Sequence, residues 1–151
     1  MFGTVLVANR GEIAGRIART LRRMGVIAAG VASDADRFSP VMRQMDRLAR
    51  LGPGPAAQTY LNMDAIVAAA RETGAEAVHP GYGFLSENIV FAERLAAEGI
   101  RFIGPRPEHI RAFGLKHTAR ALAAEAGVPL LPGSDILKDV AEAKAEAARI
   151  S

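Results

Sequence analysis

The apolar run Val5-Leu6-Val7-Ala8 ends at Asn9-Arg10-Gly11-Glu12, and apolar residues then recur with the period of a helix. Ile13, Ile17, Leu21 and Met24 follow at spacings of four, four and three, which puts them on one helical face. Glu12 falls in the first turn, where the positive end of the helix dipole favours a carboxylate, and Gly25 suits the helix end. The same order repeats along the chain. Val26 to Val31 reads as a second strand, closed by Ser33-Asp34-Ala35-Asp36. Asn62 caps a helix whose Met63, Ile66, Val67 and Ala70 share a face, with Gly74 behind it. Ala75 to Val78 is a short strand, and a helix from Asn88 to Glu98 is expected to bury Val90, Phe91 and Leu95. Ile100 to Ile103 is another strand, stopped by Gly104-Pro105. Such alternation predicts an α/β fold, a parallel sheet with helices on both faces.

From Pro107 the pattern changes to consecutive helices. Pro107 opens a short one that Gly114 ends, and Lys116 opens another that closes at Gly127. An extended stretch from Val128 to Gly133 leads to an alanine- and glutamate-rich helix, Asp139 to Ile150, with Val140, Ala143, Ala147 and Ile150 as its apolar positions. No strand follows for that helix to cover, so the expectation is an architecture that continues past Ser151.

Composition narrows the chemistry. With 151 residues the chain can bury one ordinary core, and its net charge of +3 is mild. No apolar run reaches the length of a bilayer, and the first strand starts too early to leave room for a secretory signal. Cysteine is absent, which excludes disulfides, thiolate metal sites and thiol catalysis; a cytoplasmic setting fits. Nucleic-acid binding wants basic residues interleaved with aromatics, and aromatics are only 5% of the chain. Arg16, Arg19 and Arg23 form one stripe opposite the apolar face of the first helix, suited to solvent or to a subunit contact.

The segment His79-Pro80-Gly81-Tyr82-Gly83-Phe84-Leu85-Ser86-Glu87-Asn88 is the strongest candidate site. It leaves a strand, and in open parallel sheets ligands bind at the carboxyl ends of strands. Gly81 and Gly83 permit a close backbone approach, beside an aromatic, a hydroxyl, a carboxylate and an amide. A dinucleotide site would need Gly-x-Gly-x-x-Gly after the first strand; only Gly11 and Gly15 are there, with Glu12 where a phosphate would sit. His79, His109 and His117 have no metal-site spacing, and His79 suits a loop-fixing hydrogen bond better than a proton shuttle. Ser86 and Ser134 have no His–Asp partners nearby, so nucleophilic catalysis is unsupported.

Taken together, Val5–Ala14 (VLVANRGEIA), Tyr60–Ala70 (YLNMDAIVAAA) and His79–Asn88 (HPGYGFLSEN) closely resemble the N-terminal part of biotin carboxylase, over about residues 4 to 134. Arg111–Arg120 (RAFGLKHTAR) is most similar to the urea carboxylase (urea amidolyase) branch, since acyl-CoA and pyruvate carboxylases usually have Gly-Asp-Lys where this chain has Gly114-Leu115-Lys116. The resemblance implies a Rossmann-like pre-ATP-grasp domain over 1–114 and the start of an ATP-grasp module over 115–151. It implies ATP- and bicarbonate-dependent carboxylation of biotin, with Mg2+ on the phosphates and the biotin carboxyl carrier domain and the rest of the polypeptide as partners. Lys116 is implied to reach ATP phosphates. Tyr82, Gly83 and Glu87 are implied to face the biotin and bicarbonate site, although Glu87 equally suits the start of the next helix. The Arg16, Arg19 and Arg23 stripe is implied to join a homodimer. No general base and no metal ligand is expected within this chain, so the chain alone is expected to be inert. Val41-Met42 and Arg47 depart from the family pattern, where a His and an acid are usual, leaving open a degenerate or purely dimerising domain.

Overall fold

All four residues of the first strand, β1 (Thr4–Val7), are buried, the mark of a central strand covered on both faces. The computed structural model describes residues 1–134 and 136–150. After β1 come α1 (Gly11–Arg23), β2 (Ile27–Ser33), β3 (Arg47–Gly52), α2 (Met63–Glu72), β4 (Ala77–His79), α3 (Ile89–Ala97) and β5 (Arg101–Phe102). The strands form one sheet in the order β3-β2-β1-β4-β5, and every pairing is parallel. The chain moves outward from β1 through β2 to β3, then returns past β1 to β4 and β5.

Each face of the sheet has its own apolar layer. Ala14, Ile17, Ala18 and Leu21 of α1 pack with Val5, Val7, Ala28 and Ala77. On the other face Ile66, Val67 and Ala70 of α2 join Phe91 and Leu95 of α3 over Leu6, Ala29, Val31 and Val78. Right-handed crossovers require this split, because the chain reverses direction across the sheet after β3. Asn62 and Asn88 cap α2 and α3 by accepting from the backbone N–H of Ala65 (3.1 Å) and Phe91 (2.9 Å).

Several expectations needed correction. β3 was not anticipated: its sequence RLARLG has two arginines, and only Ala49 is fully buried. It forms because β2 offers a free row of backbone groups, and charged side chains are how an exposed edge strand avoids further pairing. Val90 is 60% exposed rather than buried, because α3 turns only Phe91, Ala92 and Leu95 inward. Met24 caps the end of α1 and is 52% exposed, leaving Ile17 and Leu21 to fill the core. β2 runs two residues beyond Val31, and β4 includes His79.

The chain divides into two compact units, Met1–Pro107 and the residues from Glu108 onward. The last three helices are α4 (Pro107–Phe113), α5 (Lys116–Glu125) and α6 (Val140–Ile150). Ile110 of α4 is buried, whereas α5 and α6 have no buried residue. Asp139 caps α6, its Oδ1 accepting from the Glu142 N–H at 2.8 Å. Among the described residues no helix is long and apolar enough to cross a membrane.

Candidate functional site

The reversal of chain direction at β1 puts the ends of β1 and β4 side by side, with Val7 in register with His79. Two loops leave from that point, Ala8–Arg10 and Pro80–Asn88, and a switch point of this kind is where open α/β sheets bind ligands. Asn9 joins them. It is 3% exposed, and its Nδ2 donates to the carbonyls of Pro80 (2.7 Å) and Tyr82 (2.8 Å). Its Oδ1 accepts from the Arg10 N–H at 2.9 Å. Gly81 has φ +69°, and a Cβ there would meet Asn9 Nδ2 at 2.8 Å, so glycine is needed for both backbone and space. His79 Nδ1 accepts from the Gly81 N–H at 3.1 Å. Burial lowers the His79 pKa, which keeps the imidazole neutral and able to accept. The expected loop-fixing role of His79 is what the geometry gives.

A second group of side chains holds the far part of the loop. Phe84 is a non-glycine residue with positive φ (+43°), and its ring stacks on Tyr60 with centroids 5.1 Å apart. The Arg10 guanidinium lies 5.5 Å from the Tyr60 ring centre and 5.8 Å from that of Phe84, within cation–π range. Arg10 also pairs with Asp36 at 3.2 Å. Asp36 Oδ2 accepts from Tyr60 OH (2.8 Å) and Ser33 Oγ (2.9 Å), and Tyr60 OH in turn accepts from the Ser33 N–H (3.1 Å). Burial would raise the Asp36 pKa, but the hydrogen bonds from Tyr60, Ser33 and Arg10 outweigh it and hold the pKa below the usual value. The Tyr60 pKa is raised, first by burial. Asp34 is bound by Arg50 at 2.6 Å. Both acids after β2 therefore serve the scaffold.

On this support stand the residues singled out from sequence. Tyr82 is 65% exposed, and Gly83 and Glu87 are exposed on the same loop. The capping role that suited Glu87 falls to Asn88, which leaves the Glu87 carboxylate at the surface. Lys116 is exposed at the first position of α5, whose N-cap Leu115 supplies no side-chain acceptor. Arg16, Arg19 and Arg23 are exposed on α1, with Glu12 3.9 Å from Arg19; Arg22, between them, is tied to Asp46 at 2.9 Å. Asn9, Arg10 and Tyr60 were not anticipated as site residues. An asparagine directly after a buried strand was the available signal for Asn9; nothing local links Tyr60 to Phe84. The departures are absorbed by packing: Met42 is buried, Val41 lies against the α1 layer, and Arg47 Nη1 donates to the Thr73 carbonyl at the end of α2 (2.6 Å). Among the described residues no group of three or more His, Cys, Asp or Glu side chains is placed to hold a metal ion.

A five-stranded parallel sheet with its loops clamped at the switch point defines an α/β domain of the Rossmann-like class. A family model described as the biotin carboxylase N-terminal domain matches residues 1–110, and the chain belongs to that family. Urea amidolyase of Saccharomyces cerevisiae is 49% identical over 150 residues, covering 99% of this chain and 8% of that protein. The mitochondrial methylcrotonoyl-CoA carboxylase subunit alpha of Oryza sativa subsp. japonica is 56% identical over 129 residues, 85% of this chain and 18% of that one. The biotin carboxylase domain dimer of Hydrogenobacter thermophilus 2-oxoglutarate carboxylase, solved with MgADP, ADP and bicarbonate, superposes with a TM-score of 0.89 at 44% identity, over 100% of this chain and 33% of that one. The chain thus spans about a third or less of each relative.

Proposed function

We propose that this chain is the N-terminal part of an enzyme that carboxylates biotin at the expense of ATP and bicarbonate and passes the carboxyl group to urea. The observation that carries the reading is the clamped Tyr82–Gly83 loop at the sheet's switch point, in a chain about half identical to carboxylases along most of its length. Residues 1–114 would form the pre-ATP-grasp domain and 115–151 the opening of the ATP-grasp module, in a cytoplasmic enzyme. Tyr82 and Gly83 would line the biotin and bicarbonate site with backbone groups, and Glu87 would orient a cation supplied from elsewhere in the polypeptide.

Lys116 fits an ATP phosphate. Its ammonium is exposed, and it opens a ten-residue helix whose first N–H groups have no side-chain cap, a donor set suited to an anion. ATP supplies the energy that makes bicarbonate an acceptable carboxyl donor; this chain contributes binding and orientation. Mg2+ finds no ligand cluster among the described residues and would be held by groups elsewhere. In the complete enzyme Lys116→Ala should raise the KM for ATP about tenfold or more while the KM for biotin holds. An unchanged ATP affinity overturns the assignment. Biotin-dependent ATP cleavage by these 151 residues alone would overturn the view that the chain is inert by itself.

Urea as final acceptor is supported by the urea amidolyase relative and by Gly114-Leu115-Lys116. Turnover of the complete enzyme with urea, but not with acyl-CoA or pyruvate, is the expected result. The Arg16, Arg19 and Arg23 stripe is proposed as part of a homodimer contact; the Hydrogenobacter relative was solved as a domain dimer. Arg19→Glu should shift the complete enzyme toward monomer in analytical ultracentrifugation.

A further inference from the structure

We propose that Asn9 is a positioning residue for the carboxylation site, acting through the Tyr82–Gly83 peptide. The inference rests on the functional reading above and deepens it. Both amide protons and the oxygen of the Asn9 side chain are engaged, on Pro80, Tyr82 and Arg10, within a side chain that is 3% exposed. A side chain so fully used on a loop it is far from in sequence fixes that loop's backbone and little else. The peptide groups are trans, so the C=O and N–H of each point in opposite directions. In the Pro80–Gly81 peptide each end has its own partner, Asn9 Nδ2 on the carbonyl and His79 Nδ1 on the N–H. In the Tyr82–Gly83 peptide the carbonyl is drawn inward to Asn9, and the Gly83 N–H is thereby aimed outward. Gly83 is exposed, with nothing within 4 Å of where a Cβ would sit. Asn9 therefore sets the direction of a solvent-facing donor that it never touches. Without that clamp, Gly81 and Gly83, both at positive φ, would let the segment sample other peptide orientations.

The test is steady-state kinetics on the complete carboxylase with free biotin, comparing wild type with Asn9→Ala and Asn9→Asp. Asparagine to alanine removes the clamp; aspartate keeps the shape but sets a carboxylate against two carbonyls. Either variant should raise the KM for biotin by about 10²-fold, the usual scale for an ångström of misplacement. The KM for ATP should stay within about twofold. A merely structural role would lower kcat through loss of folded enzyme and leave both KM values alone. As a control, Asn62→Ala removes the cap of α2 and should lower the melting temperature with the biotin KM unchanged. A wild-type biotin KM in folded Asn9→Ala or Asn9→Asp overturns the inference while leaving the functional reading in place. A wild-type enzyme that does not carboxylate biotin overturns the reading itself.

Discussion

In residues 1–107 helices and strands share two apolar layers, whereas α5 and α6 keep their helical form without a single buried side chain. The first unit is held by tertiary burial; α5 and α6 rely on alanine-rich composition, the Asp139 cap, the Arg149–Glu146 pair at 2.6 Å and arginine hydrogen bonds to the Leu131 and Gly133 carbonyls. Secondary structure and core membership are separable properties, and this chain displays them apart.

The sharpest challenge to the comparison is Phe91→Ala. Phe91 is fully buried and meets Phe102 edge-on at 6.2 Å, so its loss should cost about 3–5 kcal/mol and be visible in thermal unfolding. A cost below about 1 kcal/mol would mean that the layer over β1 and β4 does not hold the first unit together. A smaller effect is expected from caps. Asn62→Ala should cost about 1 kcal/mol, and Leu115→Ser, which adds the missing acceptor ahead of α5, should raise helix content in circular dichroism.

Acid provides a third probe, because His79 is the sole histidine among residues 1–107. Burial puts its folded pKa below the unfolded value of about 6.5, so the unfolded chain takes up the proton first. Its stabilising contribution is complete above that pH and is lost as pH falls from there toward the folded pKa. The melting temperature of the first unit should drop as pH falls below the unfolded value of about 6.5, and His79→Gln should flatten the decline. Parallel curves for the two proteins would discard this role. The smallest change is expected for Val140→Ala in α6, within about 0.5 kcal/mol, because Val140 is 71% exposed. A cost like that of Phe91→Ala would show the two regions to be held alike.

Much of the candidate site was legible early. The loop from His79 to Asn88 declares itself through its glycines and its place after a strand, and the helix cap at Asn62 lies where spacing put it. Its support was not legible. Asn9 and Tyr82 are 73 residues apart, and Tyr60 and Phe84 become neighbours only because α2 and β4 follow a crossover. Periodicity reports which face of an element is apolar, and is silent on which loops meet. For β3, too, the deciding partner is β2, whose backbone groups override a sequence rich in arginine.

Local spacing and motif were enough for the alternation of elements, the parallel class of the sheet, the glycine-bearing loop after β4 and the kinship with biotin carboxylases. Only the assembled fold shows that Asn9 gives both amide protons to that loop, and that Asp36 belongs to Arg10, Tyr60 and Ser33. Those contacts exist because the sheet reverses direction at β1, which brings distant loop ends within hydrogen-bond reach.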